Sequence, residues 1–563
     1  MSIVKSEVRR GAYYDSVVLM QLQRGLLSLP GVIDAGVVMA TPANRELLAA
    51  NDLLPDAMAA GPDDMLIVVK GETDAAASDA LAQVDALLSK RRTAAAQDFR
   101  PHSLSAAVRQ LPDAGWVLVS VPGRYAAGVA REALDLDRHV FLYSDNVSLE
   151  DEVSLKQAAC TKGLLVMGPD CGTAIVNGIG LGFANRVRRG SIGLVGASGT
   201  GLQTITARIH ELGAGVSHAI GVGSRDLKSE VGAITAHQAL DVLARDPETN
   251  VIVLVSKPPT PEVATRLLSA AQTAGKPIVV DFIGFPPPSR KLGSLHFAAS
   301  LGEAAELAVQ LSVISDQLSV ISDRTQATDS LITDHWLRGL FSGGTLAYEA
   351  MLILQTVLHP LYSNTPITNN QLLPDPVHSQ AHTILDLGGD EFTVGRLHPM
   401  IDNDLRIRRL RQEAADPEVG LILLDVVLGE GAHPDPASEL APVIAEVIRD
   451  WRLAIAVIVV GTEDDPQGLS SQIERLTAAG AVVYRSVKDA AEYASRRLSR
   501  HAPEPYPPVA LEPFARPLAA INVGLESFYD SLRAQDARAV HVDWRPPAGG
   551  NEKLAALLAK MKK

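Results

Sequence analysis

Between residues 104 and 300 the chain repeats one texture, a short run apolar on both faces followed by an Ala/Leu-rich stretch of helical spacing. The runs are Trp116-Val-Leu-Val-Ser120, His139-Val-Phe-Leu-Tyr143, Leu164-Leu-Val-Met167, Ser191-Ile-Gly-Leu-Val195, Val251-Ile-Val-Leu-Val255 and Pro277-Ile-Val-Val-Asp281. Strands buried on both faces belong to parallel sheets covered by helices, so the pattern predicts an α/β fold. A second set of runs follows near 383–386, 421–427, 453–460 and 481–485. Ahead of both lies a different pattern, with helical spacing over 16–27 and 75–88 and strand-like runs at 32–39 and 65–69, which fits a ferredoxin-like α+β module.

These textures set the expected boundaries: an α+β module over 1–100, a truncated Rossmann-like unit over 101–188, a first larger α/β unit over 189–311 and a second over 333–500. Ser312-Val-Ile-Ser-Asp316 recurs as Ser319-Val-Ile-Ser-Asp323, and 312–332 reads as a linker. Six prolines in 501–517 mark a connector into a last module, so that 501–563 reads as connector plus tail.

Composition narrows the function. The 563 residues carry 51 Lys+Arg against 65 Asp+Glu, a net charge of −14, which disfavours nucleic acid because that affinity comes from neutralising phosphates. The two cysteines, Cys160 and Cys171, form neither a disulfide framework nor a zinc-ligand pattern. The amino end lacks a signal-peptide pattern, and the longest apolar run, 453–460, is too short to span a bilayer. The expectation is a soluble, cytoplasmic protein with no metal and no cofactor.

The two α/β halves share landmarks in one order. Ser198-Gly-Thr-Gly-Leu, Gly221-Val-Gly, Asp246-Pro-Glu and the 251–255 run correspond to Gly343-Gly-Thr-Leu, Asp386-Leu-Gly-Gly, Asp416-Pro-Glu and Gly420-Leu-Ile-Leu-Leu. Each half therefore repeats a Gly-rich turn between a strand and a helix. Such a turn presents free N–H groups and the positive end of a helix, which suits a phosphate, a carboxylate or a developing oxyanion. The candidate groups are Gly196, Ala197, Ser198, Gly199, Thr200 and Gly201 in the first half, and Ser342, Gly343, Gly344, Thr345, Gly388 and Gly389 in the second. Ser198, Thr200 and Thr345 supply hydroxyls. Neither loop has the Walker or dinucleotide-binding pattern. Asn185 and Arg225 are further candidate ligands, Arg225 as an anion clamp or a solvated surface residue. Cys171 is a possible nucleophile or a small buried hydrophobe, and His296 a possible phosphate carrier or a structural residue. A pseudo-twofold packing of the halves would aim both helix ends at one anion.

Gly168-Pro-Asp-Cys-Gly, Gly193-Leu-Val-Gly-Ala-Ser-Gly-Thr and Gly221-Val-Gly resemble the α subunit of succinyl-CoA synthetase, which implies that 101–188 is a truncated CoA-binding-like domain and 189–311 an α-like ligase domain. Leu385-Asp-Leu-Gly-Gly, Asp416-Pro-Glu and Gly461-Thr-Glu-Asp-Asp resemble the carboxyl-terminal domain of its β subunit. The whole layout, with the tail Ile521-Asn-Val-Gly-Leu-Glu-Ser-Phe-Tyr and His541-Val-Asp-Trp-Arg-Pro-Pro-Ala-Gly-Gly, resembles the FdrA family. The synthetase's Gly-His-Ala-Gly-Ala motif has no match, since the segment here reads Gly293-Ser-Leu-His-Phe. The Gly-rich first turn of its CoA-binding domain and an ATP-grasp segment are also missing.

The resemblance implies a subunit of a multi-subunit transferase that uses carbamoyl phosphate or another acyl phosphate with an oxamate-like acid, as in oxamate carbamoyltransferase of allantoin degradation. Its partners would be small anionic substrates and further enzyme subunits in an oligomer, not nucleic acid or membrane. Two other readings stand beside it: an acyl-CoA synthetase subunit, and a non-catalytic scaffold whose tail docks a partner.

Overall fold

The computed structural model describes residues 3–546 apart from 11–15, 55–59, 62–63, 90–99, 286–288, 320–334, 369–370, 452 and 499–506. At the amino end, β1 (Ile3–Arg9), β2 (Val32–Met39) and β3 (Met65–Gly71) form an antiparallel sheet with β3 in the middle. Helix Ser16–Leu27 joins β1 to β2. It packs Leu19, Leu22 and Leu26 against Met65, Ile67 and Val69. The expected four-stranded βαββαβ order is not present among the described residues, where three strands and an added helix, Pro42–Ala50, appear instead. The pattern missed β1 because Val4-Lys-Ser-Glu-Val-Arg9 is a half-exposed edge strand without an apolar run.

Strands β4 (Trp116–Val119), β5 (His139–Leu142) and β6 (Val166–Met167) are parallel, with every residue buried. The next two, β7 (Thr173–Val176) and β8 (Ile179–Gly182), are a hairpin closed by Asn177-Gly178, both at positive φ, as a two-residue turn requires. The hairpin leaves the β4–β6 sheet and pairs with β10 (Val216–Gly221), which lies beside β9 (Arg189–Ala197). With β11 (Val251–Ser256), β12 (Ile278–Phe282), β13 (Lys291–Leu292) and β14 (Leu295–Phe297) this makes an eight-stranded sheet in the order β13-β14-β12-β11-β9-β10-β7-β8.

The second half is a six-stranded parallel sheet of β15 (Trp336–Phe341), β16 (Leu361–Ser363), β17 (His382–Asp386), β18 (Val419–Val427), β19 (Ala454–Val460) and β20 (Val482–Tyr484), ordered β16-β17-β15-β18-β19-β20. Its core order β19-β18-β15-β17 repeats β12-β11-β9-β10 of the first. Helices Pro261–Gln272, Gly344–Leu354 and Val487–Leu498 share one apolar core between the halves, and the Thr265 hydroxyl donates to the Gln355 carbonyl at 3.1 Å. The stretch expected as linker starts inside a helix, because Leu301–Ser319 continues to its first Ser-Val-Ile-Ser-Asp; the rest of 312–332 falls outside the described residues.

The tail is not a separate module. β21 (Ala519–Val523) pairs parallel with β4, and β22 (Arg538–Val542) with β21, giving the order β22-β21-β4-β5-β6. Numbered from β21, that is 2-1-3-4-5, a complete doubly-wound sheet whose first two strands come from the end of the chain. The unit that looks truncated over 101–188 is completed by a strand whose Ala520 pairs with Trp116, 404 positions earlier, which no local pattern announces.

Candidate functional site

Strand β9 ends at Ala197, Ser198 caps the helix Gly199–Glu211, and the Ser198 hydroxyl oxygen accepts the Gly201 N–H at 3.2 Å. That bond uses the oxygen as acceptor and leaves the hydroxyl proton for another partner. The helix end opens into a cavity of about 260 Å³. Gly196, Ala197, Ser198, Gly199 and Thr200 line one side of it; Thr173, Phe183 and Lys257 stand on others.

Thr173 carries the most informative atom. The residue is 1% exposed, and its hydroxyl oxygen has no hydrogen-bond partner. It lies 3.6 Å from where a side chain on Gly199 would begin, so it faces the helix end. A buried hydroxyl left unsatisfied costs free energy unless a ligand or water meets it. Lys257, at the end of β11, adds an exposed cation to the same cavity. Neither residue was a sequence candidate. Thr173 directly follows the Gly168-Pro-Asp-Cys-Gly segment, and Lys257 follows its strand without a motif.

Cys171 also lines the cavity, but burial pushes its thiol up to about 12, so it stays protonated at neutral pH. It stands as a buried residue of the cavity wall. The approach around it is tight: Gly223, at φ +88°, packs its backbone on Pro169, a conformation that L side chains rarely adopt. Beneath this turn the fully buried Lys156 ammonium bonds Glu152, Asp226 and the Val222 carbonyl at 2.9, 2.6 and 3.0 Å, tying the β4–β6 unit to the cavity loop.

Other candidates sit elsewhere. Arg225 binds Glu152 at 2.7 Å and the Val147 carbonyl, so it is a structural ion pair and not an anion clamp. Asn185 is exposed and outside the cavity lining. His296 lies in β14, with its pKa lowered by burial.

The second helix end is built differently. Gly343 caps Gly344–Leu354 without a side-chain bond. Ser342 is fully buried, and both its N–H (2.7 Å) and its hydroxyl (2.8 Å) donate to Asp425, which pairs with Arg406. Ser342 is therefore spent on the core. Asp386, at the end of β17, places a carboxylate oxygen 2.7 Å from where a side chain on Gly344 would begin, and burial raises its pKa. Gly388 donates to the same carboxylate at 2.9 Å and lies against the His398 ring, while Gly389 lies against Glu391 and Asn364. Every residue lining the first cavity falls between 170 and 257, so the second helix end, Thr345 included, does not enter it.

Comparison with known proteins agrees with the paired α/β units but puts the CoA binding domain at 187–284, the unit that holds the cavity and that was expected as a ligase domain, and not at 101–188. The family described as CoA-ligase matches residues 340–497, the CoA binding domain family matches 187–284, and the family described as AllF, heavy metal-associated domain, matches 1–103. The protein YahF of Escherichia coli K12 is 41% identical over 500 residues, covering 86% of this chain and 96% of YahF. The chain belongs to the FdrA/AllF-like family, which is succinyl-CoA-synthetase-like.

The α subunit of succinate–CoA ligase from Methanothermobacter thermautotrophicus is 27% identical over 183 residues, 31% of this FdrA/AllF-like chain and 60% of that subunit. Among solved structures, the apo acetyl-coenzyme A synthetase 1 of Ca. Korarchaeum cryptofilum is 18% identical, covers 69% of this chain and 84% of its own, and has a TM-score of 0.25. The name heavy metal-associated does not fit the donors present. Residues 1–103 contain no cysteine, and among the described residues no three His, Cys, Asp or Glu side chains gather as a metal would need. No helix among the described residues is long and apolar enough to cross a membrane.

Proposed function

We propose that this chain is a subunit of an acid–CoA-ligase-like enzyme and that the end of helix Gly199–Glu211 binds the phosphate of an acyl phosphate. The unpartnered Thr173 hydroxyl facing that helix end carries the reading. The backbone N–H groups of the first turn, the Ser198 and Thr173 hydroxyls and the Lys257 ammonium are donors converging on one cavity. Together they hold a phosphate and stabilise charge that develops as the acyl bond to it breaks. With Cys171 protonated, the acyl group passes directly to its acceptor and no thioester forms on this protein.

The junction between β21 and β4 fits CoA as that acceptor. In a doubly-wound sheet ligands sit where the strand order reverses. There Gly524, at φ +124°, brings its backbone so close to Ser120 that a Cβ would lie 2.5 Å from it. Helix Gly123–Asp135 begins beside it with no acid in its first turn and with Arg124 next to its start. Bound here, CoA supplies the thiol. The CoA-ligase and CoA-binding matches support CoA over an oxamate-like acceptor, although they cover 340–497 and 187–284 and neither β4 nor β21. Carbamoyl transfer is the second reading, favoured by the AllF match.

The full-length protein with its partner subunits is assayed for thioester formation from acetyl phosphate and CoA, and for carbamoyl transfer from carbamoyl phosphate to oxamate. Ser198→Leu abolishes the productive reaction and Thr345→Leu leaves it. Equal loss in both variants, or in neither, overturns the assignment of the first helix end.

A further inference from the structure

The cavity holds more than a phosphate. Its volume of about 260 Å³ exceeds what the five heavy atoms of a phosphate fill. The wall beyond the anion donors is mixed: Asp170, Gln203 and Ser224 are polar, and Leu202, Cys171 and Phe183 form its apolar part.

Phe183 is unusual in being 53% exposed yet firmly held. Its N–H donates to the Gly172 carbonyl at 2.8 Å, and its carbonyl accepts from Gln203 at 2.7 Å. Its ring meets Tyr143 at 5.3 Å and Phe528 at 6.1 Å, edge to face. Phe528 belongs to the tail helix Glu526–Arg533.

The same tail grips the back of the β7–β8 hairpin, whose two ends place Thr173 and Phe183. Gln535 accepts the Gly180 N–H at 2.8 Å and donates to the Gly180 carbonyl at 3.0 Å, replacing a neighbouring strand. Arg186 donates to the Ala534 carbonyl and Asn177 to the Arg516 carbonyl. Residues 515–535 thus fix the hairpin from outside while its inner side faces the cavity.

We infer that Phe183 is the wall that selects the group attached to the bound anion, and that the carboxyl-terminal segment positions it through Phe528 and Gln535. The ligand class is a short acyl phosphate whose acyl part lies against the ring. This rests on the anion reading above and adds the source of its selectivity.

Isothermal titration of the full-length protein with inorganic phosphate and with acetyl phosphate tests both levels. Wild type binds acetyl phosphate about four- to fifteenfold more tightly than phosphate, the worth of one or two buried carbon groups. Phe183→Ala brings that ratio close to one, Phe183→Leu restores most of it, and Gln535→Ala lowers it part-way. A ratio unchanged by Phe183→Ala, or a parallel loss of affinity for both ligands, overturns the selectivity role while the anion site stands. Failure of the wild type to bind inorganic phosphate removes the anion site and this inference with it.

Discussion

The two Gly-rich helix ends share a sequence pattern and a place in their sheets, yet they hold opposite groups. The register pairs Gly196 with Gly221 in the first half and Phe341 with Asp386 in the second, and Phe341 stands 145 residues after Gly196 just as Thr345 stands 145 after Thr200. Gly221 and Asp386 are therefore equivalent. Against Gly199 lies the neutral, unpartnered hydroxyl of Thr173, whereas against Gly344 lies the carboxylate of Asp386. One end is left open to an anion from solution, and the other already carries the chain's own. A helix N-terminus is thus a site only when its neighbours leave it unmatched.

The largest effect comes from breaking the buried pair that holds Ser342 beside the second end. Arg406→Met leaves Asp425 buried without its cation, and an uncompensated buried charge costs about 3–5 kcal/mol. Urea denaturation shows a loss of this size, and phosphate binding at the first end persists in the folded fraction.

Next is Thr173→Val, which keeps the shape and removes the hydroxyl. Losing a hydrogen bond to a charged group costs about 1.5–3 kcal/mol, so phosphate affinity falls about tenfold or more by titration calorimetry. Stability without ligand holds or rises, because the hydroxyl has no partner to lose. A destabilised variant with unchanged affinity would refute the contrast between the two ends.

Asp386→Asn sharpens the other side. Burial raises the folded-state pKa of Asp386, so the folded protein keeps its proton at pH values where the unfolded chain has lost it. Stability from this group is full below the unfolded value near 3.8 and declines as pH rises through the raised folded value. The Asn variant loses that decline in thermal melts followed against pH. The smallest effect is at Cys171: with its thiol near 12 and buried, iodoacetamide at pH 8 leaves it unmodified by mass spectrometry.

Much of this was legible in advance where local chemistry decides it. The apolar runs at 116–119, 139–142, 191–195, 251–255 and 278–281 are strands because both of their faces are covered. The Ser198 turn is a helix start because a hydroxyl and small residues there cap free N–H groups. Half-exposed β1 was not legible, and neither was the role of Arg225, whose partner Glu152 stands 73 positions away.

The sequence alone determined most element types, the doubling of the α/β unit and the two Gly-rich strand-to-helix turns, since periodicity and capping act over a few residues. Tertiary structure decided which turn stays open, because that depends on what arrives from distant strands: Thr173 from a hairpin, Asp386 from a neighbouring strand end, and β21 and Gln535 from the far end of the chain. Charge and hydrogen-bond satisfaction are settled by neighbours in space, and only folding sets those neighbours.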